Sequence, residues 1–250
     1  MKQAGIPASP QPHRVLLAED NPVNAMVMST QLSALGYACT VAQDGELAWT
    51  LLQTGDFVAL LTDCEMPVLD GYDLAIRVRA TPVYAELPII ALSARTDAAQ
   101  QARCHAAGMD ACLPKPVTNQ VLADALAHPR QTATASEPST RGGLDALRAL
   151  YPNPGALTTV LTLFISSCQN DIPEMEHAYQ RAAPQPFARV VHRLVGSLQL
   201  LGQQELAREM ALWHKSGTLP SATDYARLHA QLRAFVDRVH AAVQHPQVPP

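Results

Sequence analysis

Apolar residues in the first half of the chain come in short runs separated by segments of helical period. The runs at 14–18, 37–42, 57–62, 88–92 and 111–113 read as strands. A parallel strand covered on both faces is continuously apolar, as Val15-Leu16-Leu17 and Val58-Ala59-Leu60-Leu61 are. The segments 24–35, 45–53, 72–80, 98–107 and 118–127 read as helices. Strand and helix alternating in this way predict an α/β doubly wound five-stranded parallel sheet. The pattern stops at 129–142, a stretch rich in Pro, Ser and Thr without apolar period, which reads as a flexible linker. No strand pattern returns after it. Helical segments at 144–150, 155–182, 186–201, 203–215 and 223–243 have short connections and predict an all-α antiparallel helix bundle. A break is expected before Pro173, because proline lacks the amide hydrogen that a helix interior uses. The chain therefore divides into an α/β domain at 12–128, the linker, and a bundle at 143–243, with 1–11 and 244–250 expected to be disordered.

Composition removes several classes. With 48% hydrophobic and 16% charged residues and a net charge of -4, nothing attracts nucleic acid or an anionic membrane surface. The 5 cysteines, Cys39, Cys64, Cys104, Cys112 and Cys168, form no C-x-x-C pair and suit a reducing compartment. The polar, Pro-rich start lacks a signal-peptide core and no apolar run approaches membrane-spanning length, so the chain is expected to be cytoplasmic, or the cytoplasmic part of something larger.

The chemistry concentrates where strands end. The first strand runs into Glu19-Asp20 and the third into Asp63, while the fourth reaches Ser93 and the fifth leads to Lys115. Ligands of open parallel sheets bind at the carboxyl ends of strands, where strand order reverses. Three carboxylates gathered there repel one another unless a hard cation joins them, and all-oxygen ligands point to Mg²⁺. A lysine and a hydroxyl on the same rim suit phosphoryl oxygens, and an aspartate can itself accept the phosphoryl group.

The segments AED at 18–20, LLTDCEMPVLDG at 60–71, IIALSA at 89–94 and LPKP at 113–116 resemble the response-regulator receiver domain and its flavodoxin-like fold. The resemblance implies Asp63 as phospho-acceptor, Asp20 as direct Mg²⁺ ligand, Glu19 acting through water, and the Glu65 main-chain carbonyl completing the metal site. It implies that Ser93 and Lys115 contact the phosphoryl oxygens and that Lys115–Pro116 is cis. Two departures from the pattern matter. Cys112 stands where the family has an aromatic switch residue, and Glu65 and Arg95 flank the expected path of attacking water.

On a helical wheel of 186–201, Phe187, Val190, Val191, Leu194, Leu198 and Leu201 form an apolar arc that faces away from His192. Ala188, Gly196 and Gln199 share the histidine's face, which is expected to project outward and admit another protein's active site. The run His192-Arg193-Leu194-Val195-Gly196-Ser197 resembles the motif of histidine phosphotransfer domains, and the resemblance implies His192 as a second phospho-acceptor. Val195 replaces the lysine expected there, and Arg189 or Arg193 could supply the missing charge.

Receiver, linker and phosphotransfer domain in this order resemble the C-terminal end of unorthodox hybrid sensor histidine kinases, where phosphoryl groups pass His→Asp→His→Asp. The expected partners are a sensor histidine kinase and a downstream response regulator receiver. No ATP-binding kinase pattern is seen. The alternative is a docking module controlled by the receiver, with a degenerate phosphotransfer bundle.

Overall fold

The computed structural model describes residues 13–94, 97–129 and 143–244. The expectations for 1–11, for the linker beyond Pro129, for the tail beyond Gln244 and for Arg95 lie outside these residues.

The α/β unit comprises β1 (Arg14–Ala18), α1 (Pro22–Ala34), β2 (Ala38–Ala42), α2 (Gly45–Thr54), β3 (Ala59–Asp63), α3 (Gly71–Arg79), β4 (Ile89–Ser93), α4 (Ala98–Ala106), β5 (Ala111–Pro114) and α5 (Asn119–Ala127). All strand pairings are parallel, in the order β2-β1-β3-β4-β5. The order reverses between β1 and β3, which opens the crevice where such sheets bind ligands. Val15, Leu16, Leu17, Leu60, Leu61, Ile89, Ile90 and Leu92 are wholly buried, as strands covered on both faces must be. The helices begin on side-chain caps: Asp44, Asp70, Asp97 and Thr118 each accept a backbone N–H of the first turn.

The second unit contains α6 (Leu144–Leu150), α7 (Pro154–Gln180), α8 (Pro184–Leu200), α9 (Gln204–Ser216) and α10 (Ala222–Gln244). The break expected before Pro173 does not occur, and α7 runs through it. Ile172, Met175 and Ala178 are buried in the same core as Phe164 and Cys168, so packing along one face offsets the hydrogen bond that proline cannot make. Phe164, Phe187, Trp213, Tyr225 and Phe235 supply the aromatic part of that core.

The two units share helix α1. Ala25, Met28 and Leu32 pack on the sheet, whereas Val23 and Val27, with Met26, enter the core of the bundle. Burying a valine fully contributes about 1.5–3 kcal/mol, so the two valines hold the units together. Polar contacts fix the register. Asn21 caps α1 through its Oδ1, which accepts from the Val23 and Asn24 amides. Its Nδ2 donates to the Arg193 carbonyl and to Ser197 Oγ, both at 2.7 Å. The Tyr151 hydroxyl donates to Thr30 Oγ1 at 2.8 Å.

Candidate phosphoryl-transfer site

The expected site residues Glu19, Asp20, Asp63, Glu65, Ser93 and Lys115 lie at the carboxyl edge of the sheet, and His192 lies directly over it. Asp63 ends β3 and is 3% exposed, Glu19 and Asp20 follow β1, Ser93 ends β4 and Lys115 follows β5. Lys115 Nζ donates to Glu19 Oε2 and to Asp63 Oδ2, each at 2.6 Å. Asn24 Nδ2 donates to Glu19 Oε1 at 3.1 Å, and the Glu65 amide donates to Asp63 Oδ1 at 3.2 Å. Ser93 Oγ accepts from the buried Gln100 amide at 3.0 Å. The Lys115–Pro116 peptide is cis, as the resemblance implies. Cys112, in the place of the aromatic switch residue, is buried in an apolar cluster with Cys64 and Cys104.

The electrostatics follow from crowding. Burial pushes Glu19 up, against the pull of Lys115. Burial, with the charges of Glu19 and Asp63 added, raises Asp20 to about 7. Burial also opposes ionisation of Asp63, yet Lys115 and His192 outweigh it and hold that carboxyl well below the usual range. One oxygen from each of Glu19, Asp20 and Asp63 lies within 4.8 Å of the others. Asp20 Oδ1 is buried and has no hydrogen-bond partner. An orphaned carboxylate oxygen beside two further carboxylates fits a hard divalent cation, which would be held by these three side chains.

His192 stands on α8 directly over Asp63. Its Nε2 lies 3.6 Å from Asp63 Oδ2 and its Nδ1 lies 3.4 Å from Glu65 Oε2. Burial disfavours the imidazolium, but the hydrogen bond and charge of Asp63, with Glu65, raise His192 to about 9. The expectation of an outward-facing histidine is thus corrected: its face is covered by the chain's own α/β unit. The structure also explains Gly196, because a Cβ there would sit 2.8 Å from Asn24 Nδ2 on α1. The small-residue face admits the neighbouring unit of the same chain.

Arg193 does not replace the missing lysine. Its guanidinium is engaged with Asp171 Oδ1 at 2.7 and 3.0 Å and with Glu174 Oε2 at 2.7 Å. Burial pushes Asp171 up even against this guanidinium. Arg193→Ala therefore leaves a buried carboxylate unpaired and is expected to cost about 3 kcal/mol. Urea unfolding of the whole chain checks this; a loss below about 1 kcal/mol would show that the pair is a surface one.

Sequence reasoning missed the roles of Asn21 and Asn24 and the position of Arg208. A cavity of about 420 Å³ between the units is lined by Asp63, Ser93, Lys115, His192, Val195 and Arg208, among others. Arg208 of α9 therefore brings a cation to the space beside the buried Val195. Arg189 lines a second, smaller cavity with Asp20, Glu65 and His192. Nothing short of the packing of α9 against α8 marks Arg208 in the sequence.

A 2-1-3-4-5 parallel sheet with clustered acids, a serine and a lysine at its switch point defines a class of phosphoryl-accepting signalling domains. The family model of the response regulator receiver domain matches residues 15–127, and this part of the chain belongs to that family. Over 94% of its length the chain is 32% identical to the virulence sensor protein BvgS of Bordetella pertussis, of which it spans 22%. It is 39% identical, over 45% of its length, to the sensor histidine kinase RcsC of Salmonella typhimurium, of which it spans 12%. The BvgS match extends through the helical unit as well as the receiver. A crystallised receiver domain of the Pseudomonas aeruginosa sensor histidine kinase PA1611, with a magnesium ion coordinated in its active site cleft, is 38% identical over 46% of this chain and 95% of its own, at a TM-score of 0.44. Among the described residues, no helix is long and apolar enough to cross a membrane.

Proposed function

We propose that the chain is the middle pair of stations in a cytoplasmic phosphorelay. Asp63 accepts a phosphoryl group from the phosphohistidine of a sensor histidine kinase, and His192 takes it from Asp63 for delivery to a downstream response regulator receiver. The receiver spans 12–128 and the phosphotransfer bundle 143–243. The observation that carries this reading is the facing of His192 Nε2 and Asp63 Oδ2 at 3.6 Å. A bundle that served only as a docking surface would have no need to aim an imidazole nitrogen at the acceptor oxygen.

The chemistry is a displacement at phosphorus, with attacking and leaving atoms roughly in line. Lys115 neutralises the leaving Asp63 oxygen, to which it already donates, and Ser93 lies where it can donate to a phosphoryl oxygen. Admitting the phosphoryl group requires α8 to recede slightly, and the adjoining cavity gives its other oxygens room beside Arg208. Mg²⁺, held by Glu19, Asp20 and Asp63 with the Glu65 main-chain carbonyl, supplies further charge neutralisation when bound.

The test is to label Asp63 with a small acyl-phosphate donor and follow the label. Migration from a hydroxylamine-labile acyl phosphate to an acid-labile, base-stable phosphohistidine supports the relay. A label that never leaves Asp63, in this chain or toward added receivers, removes it.

The metal role makes its own prediction. Asp20→Ala should lower Mg²⁺ affinity by calorimetry and nearly abolish Asp63 labelling at limiting Mg²⁺. Its stability in metal-free buffer should hold or rise, because burial and like charges disfavour the ionised Asp20 carboxylate. Wild-type labelling at limiting Mg²⁺ would remove Asp20 from the ligand set.

A further inference from the structure

We propose that Glu65 is a positioning residue for the accepting histidine: its carboxylate holds the Nδ1 edge of His192, so that the Nε2 lone pair faces the phosphoryl group on Asp63. The inference rests on the relay reading and names the group on which the transfer step depends.

A neutral imidazole carries its hydrogen on one nitrogen and its lone pair on the other. Only the tautomer with hydrogen on Nδ1 leaves Nε2 able to attack. Glu65 Oε2 lies 3.4 Å from Nδ1, while Asp63 Oδ2 lies 3.6 Å from Nε2. The ring is thus spanned by two carboxylates of the receiver, one on each nitrogen. A carboxylate cannot donate, so each favours an N–H on its own side; phosphorylation at Asp63 takes up the oxygen facing Nε2 and leaves Glu65 holding the hydrogen on Nδ1.

Helix α8 carries no carboxylate of its own. Ala188 and Gly196 flank the ring one turn to either side, Val195 carries no polar atom, and Arg193 is engaged with Asp171 and Glu174. The orienting group for the acceptor therefore comes from the donor domain. Its placement is tied to the donor aspartate itself, since the Glu65 amide donates to Asp63 Oδ1 at 3.2 Å.

In the step, the bond between phosphorus and the Asp63 oxygen breaks and its electron pair stays on the carboxylate. The Nε2 lone pair forms the new bond to phosphorus. Any proton on Nε2 has passed to solvent before the attack; the Nδ1 hydrogen remains, and the positive charge that appears on the ring faces Glu65.

The experiment uses the whole chain, loaded at Asp63 and freed of donor, so that the transfer step alone is timed. Each variant's Asp63 phosphoryl lifetime is measured separately with His192→Gln added. Glu65→Ala should slow transfer about tenfold, the loss of one charge-assisted contact. Glu65→Gln, which keeps an acceptor oxygen, should recover part of the rate. Nitrogen-15 NMR on chains carrying Asp63→Ala, in which no carboxylate competes for Nε2, recorded on the alkaline side of the ring's titration, gives a second readout. In that background the Nδ1–H tautomer should dominate with Glu65 present and lose that dominance in Glu65→Ala. Unchanged transfer in Glu65→Ala, or an unchanged tautomer balance, overturns the inference while label still reaches His192. Failure of any label to reach His192 in the wild type overturns the relay reading and this inference with it.

Discussion

The His192→Gln chain is expected to take up label at Asp63 as the wild type does and to pass none of it into the bundle. Every group that surrounds Asp63 on the loading side comes from the receiver: Lys115 at 2.6 Å, the Glu65 amide at 3.2 Å, and the acids Glu19 and Asp20. Glutamine approximates the size of the ring and keeps α8 seated, but its amide nitrogen has no basic lone pair with which to attack phosphorus. No other described histidine can replace it. His229, for example, is committed to Glu176 at 2.7 Å on another face of the bundle. The predicted loss is complete rather than partial, which separates it from the graded effects at Glu65. Separating phosphoaspartate from phosphohistidine by their acid and base stability checks it. Phosphohistidine in the His192→Gln chain would mean that the wrong residue has been assigned.

The receiver was legible because its signals are local and redundant. Continuous apolar runs locate β1 and β3, and the functional acids sit at or just past the ends of these strands. The strand and helix limits shift by only a few residues, as at β3, where Ala59–Asp63 replaces 57–62. The site residues followed from the same logic, since strand ends at a switch point converge whatever the loops do. What was not legible depends on contacts between distant segments. Pro173 was expected to break α7, because the burial of Ile172 and Met175 that offsets its cost appears only once the bundle is packed. Arg193 was a candidate phosphate contact until Asp171, 22 residues earlier, was seen to hold it. The docking of the two units did leave a trace. The stretch Pro22–Ala34 is apolar on more sides than a helix covering one sheet face requires, with Val23, Met26 and Val27 in addition to Ala25, Met28 and Leu32. That second apolar face is the one the bundle covers. Gly196 was placed on the histidine's face, which was expected to admit another protein, but the neighbour that needs the space is Asn24 of the same chain.

Gly196→Leu should therefore act in opposite directions on the bundle and on the relay. A glycine inside α8 costs the helix about 1 kcal/mol relative to alanine, and leucine is nearly as good a helix former as alanine, so the isolated stability of the bundle should rise by about that amount. A Cβ alone would stand 2.8 Å from Asn24 Nδ2 and 4.0 Å from Asn21 Nδ2. The amide of Asn24 could swing aside for a methyl group, but a branched side chain leaves it nowhere to go against α1. Moving Asn24 releases its bond to Glu19 Oε1. Moving Asn21 breaks its two 2.7 Å bonds to Arg193 O and Ser197 Oγ and uncovers Val23 and Val27. His192 then no longer lies over Asp63, and the effective concentration of the imidazole at the acceptor falls to what a tether alone provides. That loss of positioning should lower single-turnover transfer from Asp63 to His192 by at least about a hundredfold. Chemical cross-linking between the units should fall in parallel, while urea unfolding of the bundle moves the other way. Gly196→Ala should lie between the two, with most of the helix gain and a smaller loss of transfer. Wild-type transfer in Gly196→Leu would mean that the phosphoryl group passes through some other arrangement of the two units than the one in which His192 Nε2 and Asp63 Oδ2 face each other.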